Sequence, residues 1–356
     1  MQQHIITAPG WSKSTDYIGG RNLSGIINGY SAQLTGGNTI WEPLWGLWTR
    51  LSDIESELIH SSPVRRLHYI HHNGCSYINT QHVATRLQHT IGVFSLVAYF
   101  CPDWVELRIA ALLHDIGHSP FSHVLEQIEG IDHHRKTREL LFSSEIGDIL
   151  ADYSIDPSVI LDLIEGNIAS PLRNKENKVH LDHLDSWLRS AQITGLVPSP
   201  GLLLSKITRA GDHITMDGET AETVLQCIIS EAKFHCSAVN IGPNAILKQL
   251  ITNLLEEHIV SVESISDMTD ARVEAMLLTT GQTREEAHRL FYRPHEIKVT
   301  RSAGNLPEGS LVVALSKLYL SEPLITNQEA AVQSLPSYPP FKEFSSLLGT
   351  YYIYWL

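Results

Sequence analysis

The feature that most constrains this chain is the adjacent pair His114-Asp115, which closes the apolar run Ala110-Ala111-Leu112-Leu113. It is followed at once by Gly117, His118, Pro120 and His123. Leu107, Ala110, Ala111 and His114 recur at the spacing of one helix face, and Gly117 and Pro120 are residues that end a helix. The pattern predicts a buried helix with His114 and Asp115 about 100° apart near its C-terminal end. Burying an imidazole and a carboxylate side by side costs free energy unless partners satisfy them. Imidazole and carboxylate are common ligands of zinc, manganese and iron, so the pair points to a metal centre inside a helical core.

Two further segments carry residues that could complete such a centre. His89 falls in the middle of a helix marked by Leu87, Ile91, Phe94 and Ala98, and Asp182 falls near the start of a helix over 179–194 that Gly195 terminates. Three helices would then converge, giving His89, His114, Asp115 and Asp182 as the primary metal set. Two His and two Asp leave positions on a six-coordinate ion for water and substrate, the mark of a catalytic site. A lone His or Asp on a helix is ordinarily a solvated side chain; it is the joint pattern that argues for a ligand set. Around it lie His118, His123, Glu126, His133 and His134, suited to general acid–base work, phosphate binding or a second metal. Arg86, one turn before His89, is placed to grip a phosphate.

Composition limits the reading. The chain has 356 residues and a formal net charge of −13, which argues against an extensive nucleic-acid surface but not against a small anionic substrate. Nineteen histidines are the oddity, and many fall between His60 and His183. Cys75, Cys101, Cys227 and Cys236 lack metal or disulfide spacing, as in a reduced cytoplasmic protein. The N-terminus lacks the pattern of a signal peptide, and the apolar run from Ile91 to Cys101 is too short to cross a bilayer.

Along the chain, residues 1–50 read as an irregular or strand-containing segment and 51–200 as the helical catalytic core. Residues 201–295 read as a helical extension, with helices over Asn244–Val260 and over Asp270–Leu290, the latter broken near Gly281. Residues 296–356 read as a small mixed region in which Glu296-Ile-Lys-Val-Thr and Ser310-Leu-Val-Val-Ala-Leu form strands. Asp103-Trp-Val-Glu106 after Pro102 has the spacing of a capping box.

The strings Arg86-Leu-Gln-His89-Thr-Ile-Gly-Val, Leu-Leu-His114-Asp115-Ile-Gly-His118-Ser-Pro-Phe-Ser-His123 and Leu-Asp182-His-Leu-Asp185 resemble the HD-domain phosphohydrolases. Within them they are most similar to the deoxynucleoside triphosphate triphosphohydrolase branch, as are Ser-Pro-Val-Arg65-Arg66-Leu-His-Tyr-Ile and Leu-Phe-Tyr-Arg293. The resemblance covers roughly residues 50–300. It implies a mostly α fold, an HD-type helical core with a smaller mixed α/β C-terminal extension. It also implies one divalent metal (Mn, Fe, Zn, Co or Mg), with room for a second, and a homo-oligomer. Carried over, the metal ligands fall on His89, His114, Asp115 and Asp182, the phosphate-binding arginine on Arg86, and active-site histidines on His118, His123 and His133. The implied reaction is attack of metal-activated water on phosphorus, with His123 assisting the leaving group and Glu126 orienting His123.

The departures from the branch fall on substrate-reading positions. His72-Asn73 stands for Gln-Leu, His183 for Lys, Ser186 and Ser190 for Tyr and Asp, and no Tyr-x-His-Lys string occurs around Val239–Asn244. An intact hydrolytic centre beside a rebuilt pocket predicts a nucleotide or other small phosphorylated substrate outside the ordinary dNTPs, such as a ribonucleotide or modified nucleotide. The alternatives are a nucleotide-sensing protein without catalysis and a di-iron oxygenase using His118, His123 and His133 for a second iron.

Overall fold

The computed structural model describes residues 4–5, 37–326, 332–334 and 344–356. Most of the segment expected to be irregular over 1–50 therefore lies outside the described residues. What is described of it is strand: β1 (His4–Ile5) runs parallel to β3 (Leu47–Arg50), which pairs antiparallel with β2 (Thr39–Glu42). Trp41 stands opposite Trp48 with ring centroids 5.2 Å apart, and Gly46 takes a left-handed φ of 67° where the hairpin turns.

The helices that follow are α1 (Asp53–His60), α2 (Ser62–Arg66), α3 (Arg86–Phe100), α4 (Val105–Leu113), α5 (His133–Phe142), α6 (Ser144–Asp152), α7 (Pro157–Ile164) and α8 (Leu181–Ile193). Helix α3 is apolar nearly all round, as a central helix must be. It packs on α4, α8 and the hairpin. Its start is fixed by a capping box in which the Thr85 hydroxyl accepts from the Gln88 amide and the Gln88 side chain accepts from the Thr85 amide. The box expected at Asp103–Glu106 does not form: Trp104 is the N-cap and donates no side-chain cap to α4, which opens at Val105.

Beyond α8 the chain forms a hairpin of β4 (Ile207–Ala210) and β5 (His213–Met216), then α9 (Gly218–His235), α10 (Ala238–Glu256), α11 (Val262–Ser266), α12 (Asp270–Thr279) and α13 (Arg284–Tyr292). The break near Gly281 falls where it was expected, between α12 and α13. The hairpin inside the otherwise helical 201–295 was not expected, because its strands are only four residues long and leave little period-2 signal. The tail supplies β6 (Ile297–Thr300), β7 (Leu311–Leu315), β8 (Leu324–Thr326), β9 (Val332–Ser334) and β10 (Gly349–Trp355). These make two small sheets, β6-β10-β7 and β4-β5-β8-β9. In the second, β8 pairs parallel with β5, so the tail folds back onto the helical core. The protein is mainly helical, with its sheets small.

The buried side chains form two clusters. One joins the hairpin to α1, α3, α4, α7 and α8. The other joins α10, α12 and α13 to β6 and β10 and includes Phe121, Leu125 and Ile131. The segment 114–133 leaves the first cluster and enters the second, so its histidines sit on the seam. Among the described residues, no helix is long and apolar enough to cross a membrane.

Candidate metal centre

Helix ends, rather than helix faces, carry the centre. His89 lies in the first turn of α3, not mid-helix as expected, because Thr85 caps the helix so close to it. His114 is the C-cap of α4 and Asp115 lies in the turn after it, so the pair does not share a helical surface. Asp182 lies in the first turn of α8. The helix end leaves the Ala111 carbonyl without its usual partner, and His114 Nδ1 donates to it at 2.8 Å.

These positions converge. His89 Nε2 lies 3.4 Å from His114 Nε2, 3.2 Å from Asp182 Oδ1 and 4.0 Å from Asp115 Oδ2. His114 Nε2 lies 3.5 Å from Asp115 Oδ1 and 3.8 Å from Asp182 Oδ1. His89 Nδ1 donates to Asp185 Oδ2 at 2.8 Å, and a carboxylate can only accept, so the neutral ring has its lone pair on Nε2. The same reasoning at Ala111 puts the His114 lone pair on Nε2. Two imidazole lone pairs and two carboxylates thus face one small volume, an arrangement that repels itself unless a cation stands among them. Burial opposes charge on His89, yet Asp182, Asp185 and Asp115 raise its pKa to about 9: a proton on Nε2 is one way to supply that cation, and a metal ion competes for the same lone pair. Burial likewise opposes ionisation of Asp115, but Arg86, His114 and His118 hold its carboxyl well below the usual range. The donor set, nitrogen and oxygen with fixed tautomers, fits a divalent ion.

Behind the ligands is a layer that sequence reasoning did not assign. Asp185 is fully buried and accepts from His89, from Trp45 Nε1 at 2.7 Å, and from Arg189 Nε and Nη2 at 3.0 and 2.9 Å. Arg189 also reaches Glu42 Oε1 at 3.1 Å. A Cβ on Gly92 would lie 2.0 Å from Asp185 Oδ1, so the glycine is what lets α3 and α8 approach closely enough for this network. Its sequence signal was the i,i+4 pair Asp185–Arg189 within α8. The partners Trp45 and Glu42 carried none.

A second group adjoins the first. His118 Nε2 lies 3.2 Å from Asp115 Oδ1, and its ring stacks on His133 at 4.2 Å. His123 Nδ1 lies 2.9 Å from Glu126 Oε2, and His133 Nδ1 lies in ion-pair contact with Glu126 Oε1. Glu126 is buried enough to favour its neutral form, but these two bonds push its pKa far below the usual carboxylate range. Gly117 permits the closure, since a Cβ there would meet the His133 carbonyl at 2.2 Å. The turn itself is left-handed at Phe121 and Ser122, with φ of 56° and 58°. Asp270 at the start of α12 holds it, accepting from the Phe121 amide at 2.7 Å and from His71 Nδ1 at 2.8 Å. Arg86 donates to Asp115 Oδ2 at 2.9 Å and to Ser122 Oγ at 2.8 Å, tying the two groups together. His134 packs on His133 and joins neither group. Tyr319, which sequence reasoning missed, comes from the tail between β7 and β8 to lie beside His123 and His183.

Of the residues expected to read substrate, His72 and Ser186 meet, with His72 Nε2 2.9 Å from Ser186 Oγ and its ring 4.5 Å from that of His89. Asn73 and Ser190 both hydrogen-bond Glu231 of α9 instead. His183 lies among His180, Trp187 and Tyr319, and burial lowers its pKa to about 4.

Residues 86–217, which hold all four converging side chains, match the family model for the HD domain. Such a domain implies a divalent metal, and the His/Asp group described above could bind one. The uncharacterized protein YdhJ of Bacillus subtilis is 27% identical over 254 residues, 69% of this chain and 76% of YdhJ. The metal-dependent phosphohydrolase cns2 of Cordyceps militaris is 31% identical over 141 residues, 38% of this chain and 39% of cns2. A deoxyguanosinetriphosphate triphosphohydrolase-like protein of Parvibaculum lavamentivorans is 29% identical over 131 residues, 32% of each chain. These last two alignments each span less than two fifths of either chain. A crystal structure of a phosphohydrolase from Bacteroides thetaiotaomicron shares the fold, with a TM-score of 0.67, 14% identity, and coverage of 89% of this chain and 99% of that one.

Proposed function

We propose that this protein is a metal-dependent phosphohydrolase that cleaves a phosphate ester or polyphosphate of a nucleotide, with a pocket altered from that of the dNTP triphosphohydrolases. The observation that carries the reading is the convergence of His89 Nε2, His114 Nε2, Asp115 and Asp182, with both imidazole tautomers fixed from behind. The likeness to a metal-dependent phosphohydrolase over 141 residues supports it.

His89, His114, Asp115 and Asp182 hold the ion, which when bound acidifies a water molecule and neutralises phosphate charge. Arg86 keeps N–H groups beyond those given to Asp115 and Ser122 and offers them to a phosphate oxygen. His123 has its Nδ1 engaged by Glu126, which leaves Nε2 to exchange a proton at the leaving oxygen. His118 orients Asp115, and His133 shares Glu126 with His123. His72 and Ser186 face the organic part of the substrate, and their polar groups suit a ribose hydroxyl.

The test is a panel of dNTPs, NTPs and monophosphates with Mn²⁺, the products identified by mass spectrometry. Metal-dependent phosphate release with ribonucleotides among the substrates is the result expected. No release from any member removes the hydrolytic reading, and exclusive turnover of the four dNTPs removes the altered pocket. Product masses separate release of intact triphosphate from stepwise removal.

A further inference from the structure

Asp182, Ser186 and Ser190 recur every four residues along α8 and so form one stripe. It runs about 12 Å from the metal ligand to Ser190, at 1.5 Å of rise per residue. Its near end meets His72, as described above. At its far end the Ser190 hydroxyl bonds the carboxylate of Glu231, and both residues are 5% exposed. Glu231 Oε1 also receives Asn73 Nδ2 at 3.3 Å and His235 Nε2 at 3.1 Å. His82 lies beside this group, 6% exposed and stacked on Phe234 at 4.2 Å, and Glu231 is the foremost charge acting on it.

A buried Glu–His pair adds little to stability over apolar residues of the same volume, so its presence between two helices asks for another reason. The second observation supplies one. Neither ring nitrogen of His82 has a hydrogen-bond partner, and His72 Nδ1 has none either. Buried polar atoms without partners are rare in folded proteins; the two on His82, beside the Glu231 carboxylate, and the one on His72, at the near end of the stripe, mark the course of a ligand's polar edge. An ionised carboxylate only accepts hydrogen bonds. The edge it selects must donate.

We propose that Glu231, with Ser190, Asn73 and His82, forms the far end of the substrate stripe and binds the amino-bearing edge of the substrate's nucleobase. The assignment rests on the nucleotide reading given above. It carries a sign: replacing the amino group by an oxo group sets lone pair against lone pair, leaving the buried carboxylate unpaired on that side.

Equilibrium dialysis of the Mn²⁺-loaded protein against matched monophosphates tests it: AMP with IMP, GMP with XMP, and CMP with UMP. At least one pair is bound at least tenfold more tightly as its amino member. In Glu231→Gln the same pair comes within threefold or inverts, because a carboxamide can donate to the oxo group, while bound manganese stays at the wild-type level. Glu231→Asp, which keeps the charge, preserves the sign of the preference at reduced size. The assignment is overturned if no pair is discriminated, if no nucleotide binds, or if the preference survives in Glu231→Gln. Phosphate or polyphosphate release from the dNTP, NTP and monophosphate panel separates the two readings. Binding preference without release overturns hydrolysis alone, and release without preference overturns the Glu231 assignment alone.

Discussion

Two histidine groups lie side by side in this protein, and they are wired in opposite senses. In the first, His89 and His114 each give their proton away from the group, to Asp185 and to the Ala111 carbonyl, so that lone pairs face Asp115 and Asp182. In the second, His123 and His133 turn Nδ1 inward, onto one shared carboxylate, Glu126. The first is an acceptor set that waits for a cation. The second has its carboxylate against both rings, and the His123 side chain is 48% exposed. On the proposed reading, similar residue types serve as ligand cage and as proton relay, and the way each ring faces decides which.

Several measurements can break that contrast. The largest effect is expected from the first group. His114→Ala or Asp115→Ala, like a chelator, lowers bound metal below one equivalent by elemental analysis and cuts turnover by about a thousandfold or more, the scale of losing several kcal/mol at a metal centre. His123→Ala lowers turnover by about 10²–10⁴, the usual contribution of a general acid, and leaves metal content unchanged. Loss of metal together with turnover in His123→Ala would make the second group a metal site and dissolve the distinction. Asp185→Asn weakens metal affinity about 10–100-fold, as outer-layer substitutions do, and competition with a fluorescent chelator reads it directly.

The smallest effect sharpens the electrostatic side. Glu126 titrates far below its unfolded value of 4.5, so its contribution to stability is present above about pH 4.5 and is lost as the pH falls through its folded pKa. The melting temperature of Glu126→Gln should then trail the wild type by a few degrees at pH 7, about the shift that 1 kcal/mol produces. The gap should narrow as the pH falls below about 4.5 and remain open at pH 3, because the folded pKa lies lower still. A gap that stays constant with pH would show that Glu126 is not held ionised by its histidines.

Much of the centre was legible because helical spacing and adjacent polar residues leave marks in one dimension. His89, His114, Asp115 and Asp182 could be named from their place in apolar runs, and the structure brings them together. Their precise location was not legible, since caps such as Thr85 and the end of α4 at Leu113 shift a residue from a helix face to a helix end without changing the pattern. Trp45, Glu42 and Tyr319 were invisible for another reason: each reaches the site from a distant hairpin or tail, and no local period announces such a contact. That Asn73 and Ser190 share Glu231 as a partner was hidden for the same cause, because Glu231 lies on α9 beyond the β4–β5 hairpin.

The bond from Trp45 to Asp185 joins residues 140 apart in sequence. Loop closure on that scale is a late event in folding, after local helices have formed. His89 cannot be aimed until Asp185 is fixed, and Asp185 is fixed only once the hairpin has docked. A bound ion thus acts as a latch on the finished molecule rather than as a seed for folding. Its release on gentle warming or in dilute denaturant should come before the helices melt, a signal that the latch has sprung while the frame still stands.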